Sequence, residues 1–249
     1  TPLGKHQGLF RWRYCEEPNK KQFMEEKFLI QLKKVTKRFG KGKLLVKALN
    51  NISLELRRGD FLGVIGPSGS GKTTLLNVVG ALDRPTSGEV IIDGLSTSKI
   101  KESKLYKLRR EKIGFIFQTY YLMPTLNVFN NVLVPTFPLR GDKISYEKRA
   151  KKLLNIFGLK NKEHRKPSQL SGGEQQRVAI ARSLILDPDL ILADEPTGNL
   201  DTKTGVGIVK LMKNLNKKEG KTFIVVTHDQ RITNFCNRVI KLEDGKIVK

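Results

Sequence analysis

The chain's 249 residues are enough for one large α/β domain with its own core or, at most, two small ones. Apolar residues at 38% and charged residues at 29% exclude a disordered or membrane-embedded chain. A formal net charge of +23 is spread from Lys5 to Lys249 and selects no partner by itself, since nucleic acid, an anionic membrane surface and a lysine-rich exterior all fit. No run reaches the ~20 apolar residues of a spanning helix, and no apolar stretch of signal-peptide type follows the first basic residues. The expectation is an intracellular protein; if it works at a membrane, another chain supplies the spans. Cys15 and Cys236 lie far apart without metal-ligand spacing and read as two reduced thiols.

Residues 1–27 stand apart. They hold the single tryptophan, Trp12, show no clear periodicity, and read as an N-terminal extension or an appended segment, with Leu9, Phe10, Trp12 and Tyr14 offering a membrane tether as an alternative. From Phe28 the patterning is regular. Phe28–Val35 and Ala48–Leu56 are predicted strands, the second closed by a turn at Arg57-Arg58-Gly59-Asp60. Phe61–Ile65 is short and wholly apolar, as in the centre of a sheet. A glycine-rich turn and a helix from about Lys72 to Leu82 follow, then strands at Val90–Ile92 and Ile113–Phe117. Residues 125–165 carry helical spacing and belong to a helical insert set at about 120–186, whose last helix runs from Ser171 to about Leu186. Leu190–Ala193 is a strand, Gly205–Glu219 a helix, Thr222–Thr227 a strand, and Arg238–Val248 a hairpin with an Asp-Gly turn. Strands alternating with helices predict a mostly parallel sheet covered on both faces.

Three strings carry chemistry. Gly66-Pro67-Ser68-Gly69-Ser70-Gly71-Lys72-Thr73 fits the pattern GxxxxGK[ST], directly after an apolar strand and opening a helix. Its glycines let backbone N–H groups converge on phosphate oxygens, and the helix N-terminus, with Thr74 in its first turn, adds partial positive charge. Lys72 is expected to reach the β and γ phosphates, and the Thr73 hydroxyl to ligate Mg²⁺. Asp194 and Glu195 end a buried strand at the side of a sheet where ligands bind; Asp194 is expected to hold Mg²⁺ through water, and Glu195 to act as general base. Leu170-Ser171-Gly172-Gly173-Glu174-Gln175-Gln176-Arg177 precedes an apolar helix that Ser171 can cap, another anion-binding helix start.

These strings, with Gln118 and His228, occur in the order and approximate spacing of ABC transporter ATPase subunits, which the chain resembles over about residues 28–249. The resemblance implies an α/β fold of P-loop NTPase type, with a mostly parallel central sheet, an antiparallel β subdomain and the helical insert. It implies ATP and Mg²⁺ as cofactors, and a head-to-tail dimer in which Ser171, Gly172, Gly173 and Glu174 close over nucleotide held by a second subunit, most simply an identical one. It also implies stacking of Phe39 on adenine, contact of Gln118 with Mg²⁺ and water, a Gly198–Asp201 loop between subunits, and sensing of the γ-phosphate by His228. His6 and His164 match nothing. Pro196–Asp201, Leu82–Gly88 and Asn131–Pro135 resemble the lipoprotein-release and macrolide-export branch, which implies a polytopic membrane permease as partner and a place for this chain at the cytoplasmic face of the cell membrane, peripheral through that partner; antimicrobial-peptide exporters share these strings. Tyr120, Tyr121, Leu122, Met123 and Pro124 either receive a helix of that partner or pack within the insert. A DNA-associated ATPase of similar motifs would separate the Gly66 and Ser171 strings by a long coiled coil; the roughly 100 residues here lack sustained heptads, which makes nucleic acid the weaker expectation.

Overall fold

The structure, a computed structural model, describes residues 28–248. The expected extension at 1–27, with His6, Cys15 and the tether residues, lies outside them. The described chain runs β1 (Ile30–Phe39), β2 (Val46–Leu56), β3 (Phe61–Ile65), α1 (Lys72–Val79), β4 (Ser87–Ile92), β5 (Leu95–Ser96), α2 (Glu102–Lys112) and β6 (Ile113–Ile116). It continues through α3 (Val128–Leu133), α4 (Lys143–Ile156), α5 (Gly172–Leu184), β7 (Leu190–Asp194), α6 (Thr202–Glu219), β8 (Thr222–Val226), α7 (Gln230–Thr233), β9 (Arg238–Glu243) and β10 (Lys246–Val248).

The strands form two sheets. One has the order β2-β1-β4-β5 and is antiparallel throughout. The other has the order β10-β9-β3-β8-β7-β6, parallel except for the edge strand β10. Alternation along the parallel strands divides the core in two. Leu62, Val64, Leu190, Leu192, Ile224 and Val226 face α1, α2 and the antiparallel sheet. Phe61, Ile191, Ala193, Phe223 and Val225 face the helices α3 to α6. Phe61 and Phe223, in register on β3 and β8, stack with ring centroids 5.0 Å apart. Each buried ring contributes about 1.5–3 kcal/mol.

Several element boundaries differ from the sequence reading for local reasons. The first strand runs to Phe39 rather than stopping at Val35, because irregularities after Leu32 and a positive φ at Lys34 (50°) break the two-residue alternation. The first helix stops at Val79, not Leu82: Gly80 ends it, and Ala81 turns into the left-handed region with φ 54°. The last long helix starts at Thr202, where Asp201 accepts a hydrogen bond from the Thr204 amide at 3.0 Å. Helix α2 was not expected at all, since among its mostly polar residues only Leu105 and Leu108 are buried.

Within the insert, fully buried Asn131 organises the chain before α3. Its Nδ2 donates to the carbonyls of Met123, Leu126 and Asn127 at 3.0–3.1 Å, and its Oδ1 accepts from the Met123 amide at 2.7 Å. Among the described residues no helix is long and apolar enough to cross a membrane.

Candidate functional site

Four strands of the parallel sheet deliver their C-terminal ends to one place. The 66–71 loop follows β3, Gln118 follows β6, Asp194 ends β7, and Thr227-His228 follows β8. This is the edge where open α/β sheets bind ligands. A cleft of about 520 Å³ lies there, lined by Ser68, Gly69, Gly71, Lys72, Thr73 and Thr74 from the loop and helix, and by Gln118, Asp194 and Glu195 from the neighbouring strand ends.

The loop conformation requires glycine at two points. At Gly66, with φ 154°, a Cβ would lie 2.1 Å from the Leu242 carbonyl oxygen; at Gly71, with φ 101°, it would lie 2.3 Å from that of Ala48. Pro67 and Ser70 close the loop through a hydrogen bond of 3.3 Å from the Ser70 amide to the Pro67 carbonyl. The Lys72 ammonium curls back over the loop, donating to the carbonyls of Gly66 at 2.9 Å and Pro67 at 2.7 Å.

Opposite the loop, the Thr73 hydroxyl donates to Asp194 Oδ2 at 3.0 Å. Burial pushes the Asp194 carboxyl above the ordinary aspartate range; the Thr73 hydrogen bond opposes this, the Glu195 charge adds to it, and Lys72 opposes it. The hydroxyl, the carboxylate and the nearby Gln118 amide are hard oxygen donors that suit Mg²⁺. Among the described residues no group of three or more His, Cys, Asp or Glu could hold a metal ion by itself, so an ion here would draw much of its coordination from phosphate oxygens.

Glu195 adopts φ 45°, in the left-handed region. Its Oε1 lies 2.8 Å from His228 Nδ1, and its Oε2 accepts from the Thr227 hydroxyl at 3.3 Å. The carboxylate is 15% exposed and the imidazole 72%, so the acid is held while the histidine stands in solvent. Gln118 reaches the Gly198–Asp201 loop, where Asn199 Nδ2 donates to the Gln118 carbonyl at 3.0 Å.

The residues expected to close over a second subunit's nucleotide are elsewhere. Ser171–Glu174 do not line the cleft. They form a capping box on α5, with the Ser171 amide donating to Glu174 Oε2 at 3.0 Å and the Glu174 amide donating to Ser171 Oγ at 3.4 Å. Lys162 pairs with Glu174, and its hydrogen bond holds that carboxyl below its ordinary range. Gly172 and Gly173 pack towards Tyr120, Leu200 and Thr204. Phe39 is also outside the lining. It ends β1 opposite Val46, which does line the cleft, and its ring is 44% exposed with the Lys37 ammonium 4.9 Å from its centroid. His164 lies far along the insert and takes no part in the cleft.

Sequence reading missed three supports. Val46, Lys47 and Ala48 form a wall of the cleft, and the Asp244-Gly245 turn, predicted only as a hairpin turn, braces the loop through a 3.1 Å hydrogen bond from the Gly245 amide to the Ser70 carbonyl. The third is Gln176, fully buried, whose Nε2 donates to the Pro196 carbonyl at 2.7 Å and ties α5 to the 196–201 loop. A glutamine inside an otherwise apolar helical face was the available signal.

The model of the family described as ABC transporter matches residues 49–198. An uncharacterized ABC transporter ATP-binding protein of Methanocaldococcus jannaschii is 49% identical over 88% of this chain and 95% of its own. A lipoprotein-releasing system ATP-binding protein of Rhodopseudomonas palustris is 47% identical over 81% of this chain and 89% of its own. A macrolide export ATP-binding/permease protein of Wolinella succinogenes is 46% identical over 89% of this chain, which spans 34% of that longer protein. Among solved structures, a dimeric, post-hydrolysis ATP-binding cassette bound to ADP and Pi superposes with a TM-score of 0.81 at 46% identity, covering 88% of this chain and 97% of that one. By these matches the chain belongs to the ABC transporter family as an ATP-binding, ATP-hydrolysing component.

Proposed function

We propose that two copies of this chain bind Mg·ATP head to tail and hydrolyse it at two shared sites, driving a membrane permease of lipoprotein-release or macrolide- or peptide-export type. The observation that carries this reading is a separation. One chain gathers phosphate loop, Asp194, Glu195 and His228 around the cleft, yet leaves Ser171–Glu174 outside it. A glycine-containing helix start that lies outside its own chain's cleft fits a second subunit's nucleotide. The dimeric solved relative and the names of the lipoprotein-release and macrolide-export relatives support the dimer and the branch.

In this reading, the amides of residues 66–71 and the ammonium of Lys72 hold the β and γ phosphates, with Thr74 in the first turn of α1 beside them. Thr73, Asp194 and Gln118 would hold Mg²⁺, which would supply charge neutralisation on the phosphate oxygens. Phe39 turns to stack on adenine. Ser171 and the amides of Gly172 and Gly173 close on the γ-phosphate of the opposite subunit. Glu195 takes the proton of the attacking water, and His228 moves from the carboxylate to the γ-phosphate, a change open to a ring so exposed. Hydrolysis then reopens the dimer.

The permease's docking place is a second, mostly apolar groove of about 740 Å³ between Leu82, Tyr106, Phe115 and Tyr121 on one side and Val134, Pro135 and Leu186 on the other. Tyr121 of the expected 120–124 segment lines it, whereas Leu122 packs on the helical core. The test is co-purification from the cell's own membranes, with mass spectrometry and ATPase assay of the assembly. A polytopic partner with a large extracytoplasmic domain supports the proposal. Nucleic acid without a membrane protein contradicts it.

A further inference from the structure

We infer that Thr227 is a positioning residue for Glu195, the fixed point about which the base is aimed; this rests on the reading of Glu195 as general base. Thr227 lies one residue beyond β8 and is fully buried. Its backbone amide donates to the Val64 carbonyl at 3.1 Å, and the Glu195 amide donates to the Val226 carbonyl at 3.0 Å, so both residues are pinned to the central strands.

The hydroxyl has one proton and must be told where to point it. The Asp229 amide donates to Thr227 Oγ1 at 3.0 Å, occupying its acceptor side. The proton is thereby directed to Glu195 Oε2, 3.3 Å away. A β-branched residue keeps that hydroxyl in one rotamer better than serine does.

The two oxygens of Glu195 are therefore held by partners of opposite character. Oε1 meets His228, which is 72% exposed and free to leave; Oε2 meets Thr227, which has no exposed surface and stays. The backbone of Glu195 sits in the left-handed region, which a non-glycine residue adopts when its surroundings hold it there. When His228 departs, Oε1 is released towards water while the carboxylate keeps its anchor on Oε2. Alignment of this kind acts on the chemical step and leaves substrate binding alone.

The test compares T227V, T227S, E195Q and the E195Q/T227V double variant of the full chain. The readouts are kcat, KM for Mg·ATP, and binding of a fluorescent ATP analogue. The expected result is a kcat about tenfold lower in T227V with KM within about twofold of wild type, since small misalignments cost rate rather than affinity. T227S recovers most of the rate, and the double variant is no slower in single turnover than E195Q alone. A wild-type kcat in T227V, a T227S as slow as T227V, or a further tenfold loss on top of E195Q overturns the inference. If T227V does not fold, T227A carries the same expectations. An E195Q protein that keeps full turnover removes the base reading itself, and this inference with it; an inactive E195Q beside an unaffected T227V removes this inference alone.

Discussion

The Thr73 hydroxyl and the Asp194 carboxylate meet at 3.0 Å although 121 residues separate them in the chain. One opens the helix after β3 and the other ends β7, two strands away in the sheet, so the fold itself makes the contact. Burial holds the Asp194 carboxyl above its ordinary range, which means that its charged form opposes folding at neutral pH. The sign follows from proton binding. The folded state holds the proton more tightly than the unfolded state, so this group lowers stability above its folded titration range, and the penalty disappears as pH falls below the unfolded one. Asp194→Asn is therefore expected to raise the melting temperature of the nucleotide-free protein at pH 7 while sharply reducing Mg-dependent turnover. A melting scan of both proteins at pH 7 and pH 4, beside an ATPase assay, checks this; an Asn variant less stable at pH 7 than the parent would refute it.

Lys72 is expected to act on affinity first. Its ammonium already bridges two loop carbonyls, and a phosphate would replace them as a stronger, charged partner. Removing such a contact costs about 1.5–3 kcal/mol, so Lys72→Ala weakens ATP binding about tenfold or more. Equilibrium titration with a fluorescent nucleotide measures it, and an unchanged affinity would show that Lys72 does not reach the phosphates.

Cys236 packs beside Gly63 on β3, and its thiol donates to the Ile232 carbonyl at 3.5 Å. Burial pushes this thiol up to about 11, with Lys213 opposing. Since the thiolate is the reactive form, native protein with Cys15 replaced by Ser is expected to label with a disulfide reagent at pH 7.5 on the order of a hundredfold more slowly than a free thiol. Urea should restore the rate. Fast native labelling would mean that the β3–β9 region opens.

The apolar groove makes a prediction that separates docking from chemistry. Leu82 lines it and is 49% exposed, so a charge there disturbs the isolated fold by no more than about 0.5 kcal/mol. Leu82→Glu is expected to keep the ATPase activity of the isolated chain and to lose the membrane partner in co-purification. Retention of the partner would place docking elsewhere.

Motifs whose chemistry is local were legible in the sequence. The 66–73 loop, Asp194-Glu195 and the 171–174 cap each need particular residues at fixed spacing, and each lies at the strand or helix end where the pattern put it. What the sequence did not disclose depends on partners distant in the chain. The bulge after Leu32 hid the length of β1, because it breaks the alternation that marks a strand. Helix α2 buries just two leucines, so its pattern resembles a solvated loop. The bracing of Ser70 by Gly245 crosses 175 residues and leaves no periodic trace, and neither does the grip of Thr227 on Glu195. Phe39 illustrates the other direction: its place in the sequence is clear, yet its ring lies beside the cleft rather than in it.

The central claim is that one chain's signature completes another chain's site, and the mass of Glu195→Gln tests it most directly. Replacing the base by its neutral isostere is expected to lower turnover by about 10²–10⁴-fold while leaving the phosphate contacts intact. Bound Mg·ATP should then persist and hold two subunits together. Light scattering in saturating Mg·ATP is predicted to give twice the mass of the nucleotide-free protein, falling back when Ser171 is also replaced by Arg. A protein that stays monomeric with Mg·ATP bound would contradict the shared site.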